Sequence, residues 1–238
     1  MVASDGNRFL AHVAVAAARG GPAVVVLPDV RGLHPFYEDL AERFAAAGIH
    51  ATAIDYFGRS AGTAARDPAT FAHQEHVRLT TPETVALDVA AAVAHVRSPE
   101  GGAATRAFTV GFCFGGRNSF NQAGRGHGLD GVVGFYGFPQ PSSPDDANAP
   151  VVLAPTYACP ILGFFGDADA SIPAGEVERF RRALDDAGVP SRIVVYPGAP
   201  HSFFDRRAEA FREASDDAWR RILAFVERPE GLGDPDDA

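Results

Sequence analysis

What most restricts the fold open to this chain is a repeated order: a short, apolar, β-branched run, then a stretch with helical spacing. Residues 23–27, AVVVL, are apolar without interruption, as a strand buried on both faces of a parallel sheet must be. After the polar turn PDVRG, Phe36, Leu40, Phe44 and Ala47 recur at helical spacing and Gly48 supplies a stop. Residues 49–54 read as the next strand, and residues 55–80 as a long polar loop rich in Gly, Arg and His. Thr81-Pro82 then opens a helix carrying Val85, Val89, Val93 and Val96, because proline at the first helical position forfeits no hydrogen bond. The order continues with strands over 106–111, 131–136, 159–165 and 192–196, and helices over 114–123, 173–187 and 206–226. Residues 138–157 read as loop, since Pro139, Pro141 and Pro144 crowd their first half. This alternation predicts a mostly parallel α/β sheet with helices on both faces, joined by right-handed crossovers. A ligand would then bind beyond the carboxyl ends of the strands.

The 238 residues, 46% of them hydrophobic, suit one large domain, expected over 1–226 with 227–238 as a flexible tail. The formal net charge of -9 gives no electrostatic reason to bind nucleic acid or an acidic membrane. A small soluble substrate is the expected partner, and the protein itself a monomer or small homo-oligomer. The two cysteines, Cys113 and Cys159, are too few for a disulfide framework, and the first residues lack a basic start followed by an apolar core. A reduced cytoplasm is therefore expected. A nucleotide-binding enzyme is disfavoured, because the chain has neither a G-x-G-x-x-G element nor a P-loop lysine.

Three residues fall just after predicted strands. Cys113 sits in GFCFGG, between a strand and a helix, with Gly111, Gly115 and Gly116 leaving room for a tight turn; this is the pattern of a nucleophile elbow with cysteine in place of serine. The helix N-terminus behind it would favour thiolate. A small buried core cysteine, or a weak phosphate loop, is the bland alternative. Asp169 in GDADASIP and His201 in PGAPHSFF complete the chain order nucleophile, acid, histidine. Asp169 could instead cap a helix, with Asp167 competing for either role, and His201 is one of 8 histidines. Phe112, Phe114, Tyr136, Phe138, Phe203 and Phe204 offer apolar walls, though each could be core. His73 and His76 lack the i, i+4 spacing of a helical zinc pair and read as solvated loop; no metal or cofactor is expected.

From PDVRG through GFCFGG and GDADASIP to HSFF, the chain resembles the dienelactone hydrolase family, a branch of the α/β-hydrolase superfamily with a cysteine nucleophile. The resemblance implies the α/β-hydrolase fold and hydrolysis of an ester or lactone. It matches Cys113 to the nucleophile, Asp169 to the triad acid and His201 to the base. The backbone N–H groups of Val30 and Phe114 match the oxyanion hole. Asp29 stands where family members acting on dienelactone carry a glutamate, and Asp205 where they carry a carboxylate-holding arginine, with Arg31 and Arg206 as neighbouring cations. Asp29, Arg31, Tyr136 and Phe204 are the expected site-lining residues. A non-hydrolytic isomerase or cyclase, or a silent ligand-binding relative, would share this fold.

Overall fold

The apolar runs at 23–27, 131–135 and 161–166 become strands whose side chains are buried on both faces at once. A computed structural model of the chain describes residues 1–64, 66, 67 and 69–234. Seven strands form one sheet in the order β1-β3-β2-β4-β5-β6-β7. They are β1 (Ala11–Ala14), β2 (Pro22–Leu27), β3 (His50–Ile54), β4 (Arg106–Phe112), β5 (Gly131–Phe135), β6 (Ile161–Gly166) and β7 (Ser191–Tyr196). By internal contacts the chain divides into two units, Met1–Val110 and Gly111–Ala238.

In the first unit β2 pairs parallel to β3, and β1 runs antiparallel along the other side of β3. Helix α1 (Pro35–Ala46) buries Leu40 and Phe44 of the expected stripe together with Tyr37 and Ala41, whereas Phe36 is only half-buried and Ala47, past the helix end, is exposed. Three more helices follow: α2 (Gly58–Ala61), α3 (His73–Leu79) and α4 (Pro82–Arg97). Thr81 caps α4 with its side chain on the Thr84 N–H, in a reciprocal capping box, and α4 buries Val85, Val89, Val93 and Val96. The stretch expected as loop thus contains two short helices. Helix α3 buries none of its residues, so no apolar stripe could announce it. Strand β1 was not expected either, because its first three residues are only partly buried or exposed.

In the second unit β5, β6 and β7 are parallel neighbours. Its helices are α5 (Phe114–Gln122), α6 (Pro150–Leu153), α7 (Ala174–Asp186) and α8 (Arg212–Glu227). An aromatic core binds these elements: Phe135 lies 4.8 Å from Phe112, 4.6 Å from Phe164 and 4.6 Å from Phe204, ring centroid to centroid. Helix α6 and the short 3-10 turn Ala154–Thr156 occupy the later part of the stretch expected as loop, beyond Pro139, Pro141 and Pro144 and with Pro150 in the first turn of the helix. The last helix begins at Arg212, not at residue 206. Ser202 takes a left-handed φ of 62°, and Asp205 Oδ1 accepts the Arg206 N–H, so local bonds replace helical ones there. Within the expected tail, Pro229–Gly231 forms a 3-10 turn and Asp234 pairs with Arg192; residues 235–238 lie outside the described residues.

Candidate active site

The turn from β4 into α5 leaves space for almost nothing but glycine. A Cβ on Gly111 would lie 2.1 Å from the Gly115 carbonyl oxygen, and one on Gly116 would lie 2.4 Å from that of Phe135. These clearances are what a nucleophile elbow demands. Cys113 between them has φ 54° and ψ −113°, a conformation that costs a non-glycine residue on the order of 1–3 kcal/mol. Its N–H is spent on the Phe135 carbonyl at 3.0 Å and its carbonyl accepts the Arg117 N–H at 3.1 Å. The strained backbone holds the sulfur, which is partly exposed, at the N-terminus of α5.

The loops after β6 and β7 bring two further side chains to it. His201 Nδ1 lies 2.6 Å from Asp169 Oδ2, and Asp169 Oδ1 accepts the Ser171 N–H at 2.8 Å. Asp167, the competing acid, instead accepts the Gly198 N–H at 2.6 Å and so ties the two loops together. Burial works against a charged His201. Hydrogen bonds to Asp169 and to Cys113, with the attraction of both, overcome it and raise the imidazole to about 10. The Tyr136 ring packs against the imidazole at 4.8 Å, and Tyr136 holds a positive φ of 37° just past β5.

Cys113 and His201 open on a cavity of about 340 Å³. Phe114, Tyr136, Phe138 and Ile172 give it apolar walls, and Arg117 and Ser171 also line it. Phe204, expected to line the site, is only 3% exposed, stacks on Phe112 and packs tilted against Phe135, and is not among the lining residues. Its place in sequence, midway along the His201 loop, is compatible with either fate, and core packing claims it. Arg117, Ser171 and Ile172 were not anticipated. Arg117 could have been found by its spacing, four residues after Cys113 on one helical face. The other cysteine, Cys159, is buried, which pushes its thiol up to about 12 and leaves it inert near neutrality.

Asp29 and Arg31 belong to the first unit, in the turn after β2. There Arg31 grips both Asp29 oxygens, Nη2 to Oδ2 at 2.5 Å, and its N–H donates to Oδ1 at 2.8 Å. Burial would raise the Asp29 carboxyl, yet Arg31 holds it below the usual carboxylate range. Val30 lies in the same turn. In the second unit, Arg206 donates to Ser202 Oγ at 2.9 Å. His73 and His76 lie on α3, not in a loop; His76 Nδ1 bonds Ser60 Oγ at 2.9 Å and stacks on Phe71. Among the described residues no group of three His, Cys, Asp or Glu side chains is placed to hold a metal ion. None of the described helices is long and apolar enough to cross a membrane.

A mostly parallel sheet, an elbow after β4 and a histidine–carboxylate pair after β6 and β7 define an α/β-hydrolase. The dienelactone hydrolase family profile matches residues 9–229, and the chain belongs to that family. It is 33% identical over 232 residues, 94% of this chain and 84% of the other, to a Salmonella typhimurium protein described as "Putative carboxymethylenebutenolidase". An Escherichia coli K12 protein of the same description is 31% identical over 97% of this chain and 86% of its own. Among solved structures, that of a Klebsiella pneumoniae protein described as "Putative Dienelactone Hydrolase" matches with a TM-score of 0.77 and 28% identity, covering 93% of this chain and 100% of that one.

Proposed function

We propose that this protein hydrolyses an ester or lactone through an acyl-enzyme on Cys113, with His201 carrying protons and Asp169 orienting it. The observation that carries the reading is that His201, bonded through Nδ1 to Asp169 Oδ2 at 2.6 Å, lines one apolar cavity together with Cys113 on its strained elbow. An imidazolium beside the sulfur, with the α5 N-terminus behind it, favours thiolate. The thiolate attacks the carbonyl carbon and forms the C–S bond. The carbonyl electron pair moves onto oxygen, where the Phe114 N–H meets it, together with the Val30 N–H that the family resemblance implies. Losing one such donor typically costs roughly 3–4 kcal/mol of barrier. As the tetrahedral intermediate collapses, the C–O bond breaks and His201 hands its proton to the leaving oxygen. Water then attacks the thioester and gives a proton to His201, the C–S bond breaks, and the acid departs, regenerating thiolate and imidazolium.

A thiolate leaves the tetrahedral intermediate more readily than an amine does, which favours esters and lactones over amides. The cavity volume and its four apolar walls suit a small apolar or aromatic acyl group. The relatives' printed description, carboxymethylenebutenolidase, supports a lactone among the substrates. A reducing cytoplasmic setting agrees with both cysteines being free thiols. The test is a panel of lactones and aryl esters offered to the protein and to Cys113→Ala. Hydrolysis should vanish in the variant, with an acyl adduct trapped on Cys113 of the wild type; equal rates would overturn the reading.

A further inference from the structure

The segment 138–148 begins with a cavity wall, Phe138, and runs out over the surface; residues 141–145 are all exposed. Burial therefore does little to fix its middle, and polar ties from α5 do so instead. Arg117 Nη1 donates to the Phe138 and Gln140 carbonyls, both at 2.8 Å, and Nη2 to Asp146 Oδ2 at 2.5 Å. One turn along, Asn121 Nδ2 donates to the Asn148 carbonyl at 2.9 Å, and Arg125, four residues further, to Asn148 Oδ1 at 3.2 Å. Asp146 also accepts from the Ser142 N–H and hydroxyl at 2.8 Å each, closing the segment on itself. The guanidinium fork thus grips the backbone of a cavity wall with one nitrogen and the far end of the same segment with the other. Arg117 is also a lining residue, on the helix that starts next to the nucleophile.

We propose that Arg117 is a positioning residue for acyl-group size: by clamping 138–148 onto α5, it holds Phe138 against the cavity and limits what can reach Cys113. This deepens the hydrolase reading and rests on it for its meaning in catalysis, but the clamp can be tested without turnover. Lysine could pair with Asp146 yet could not span two carbonyls and a carboxylate in a planar fork. Asp146 is not among the lining residues, so any effect of changing it must come through how the 138–148 segment is held and not through lost cavity volume.

The test compares the rates at which iodoacetamide and its bulky analogue 2-iodo-N-phenylacetamide alkylate Cys113, followed by mass spectrometry of the Cys113 peptide. In Asp146→Ala and Arg117→Met the bulky-to-small rate ratio should rise about tenfold, at the lower end of what a methylene is worth in an apolar pocket. Arg117→Lys should fall between these and the wild type. With a chain-length series of aryl esters, Asp146→Ala should lower KM for the longest acyl group and leave kcat for acetate unchanged. A ratio within twofold of wild type in Asp146→Ala, shown folded by circular dichroism, would overturn the proposal even if Arg117→Met failed to fold. A rise confined to Arg117→Met would also overturn it, since lost side-chain volume would then explain the effect. Hydrolysis by Cys113→Ala on the same esters judges the nucleophile separately.

Discussion

Replacing Asp169 by asparagine removes the charge that faces His201 and keeps the shape of the side chain. The carboxylate is buried and sits 2.6 Å from Nδ1, so its charge acts on the imidazole with little screening. The difference between an ordinary histidine near 6.5 and a value of about 10 is worth roughly 5 kcal/mol in favour of the imidazolium. Asp169 and Cys113 share that preference. An even division gives Asp169 about 2.5 kcal/mol, so losing it costs the ion pair's advantage more than about 30-fold. The amide also offers N–H where Nδ1–H needs an acceptor, which favours the wrong tautomer and deepens the loss. Two measurements test this. The kcat/KM for an aryl ester should fall at least about 30-fold. In NMR spectra of histidine-labelled protein, assigned with His201→Gln, the His201 ring should titrate at about 10 in the wild type and well below that in Asp169→Asn. A wild-type His201 titrating near 6.5, or a variant within threefold of wild-type kcat/KM, would refute the reasoning.

Three further outcomes follow from the same geometry. Gly111→Ala places a methyl 2.1 Å from the Gly115 carbonyl, so α5 must shift; thermal melting should show a loss of about 1–3 kcal/mol or more, with Cys113 alkylation slowed. Phe204→Ala empties a buried aromatic site and should cost about 3–5 kcal/mol in urea unfolding, while KM for small esters stays within about twofold. Burial tends to raise the Asp146 carboxyl, but hydrogen bonds from Ser142 and the Arg117 charge depress it below 3.8. Its contribution to holding 138–148 is therefore present above pH 3.8 and is lost as the pH falls through the depressed native value. Hydrogen exchange in that segment, corrected for intrinsic rates, should accelerate across that acid range in the wild type and not in Asp146→Ala.

What could be read from the residues is what hard sterics and burial dictate. The AVVVL run had to be a buried strand, and Gly111 and Gly116 are glycines because carbonyl oxygens occupy the space a Cβ would need. The choice between Asp167 and Asp169 was open, since both sit two residues apart in one polar loop; only the three-dimensional course of the chain turns one to Gly198 and the other to His201. Phe204 was ambiguous because an aromatic side chain in the His201 loop satisfies a core and a cavity equally well. The clamp was hidden for a different reason. Two of Arg117's acceptors are main-chain carbonyls, 21 and 23 residues away, and a carbonyl leaves no signature in the side-chain alphabet. Helix α3 and strand β1 lacked the apolar periodicity on which such reading depends.

Asp169 divides its two oxygens between an imidazole and a main-chain amide two residues on. The plane of the carboxylate is therefore steered by the path of its own loop more than by surrounding side chains. Neighbouring side chains can drift over generations without turning the acid away from its histidine, whereas inserting or deleting one residue between 169 and 171 would unhinge it.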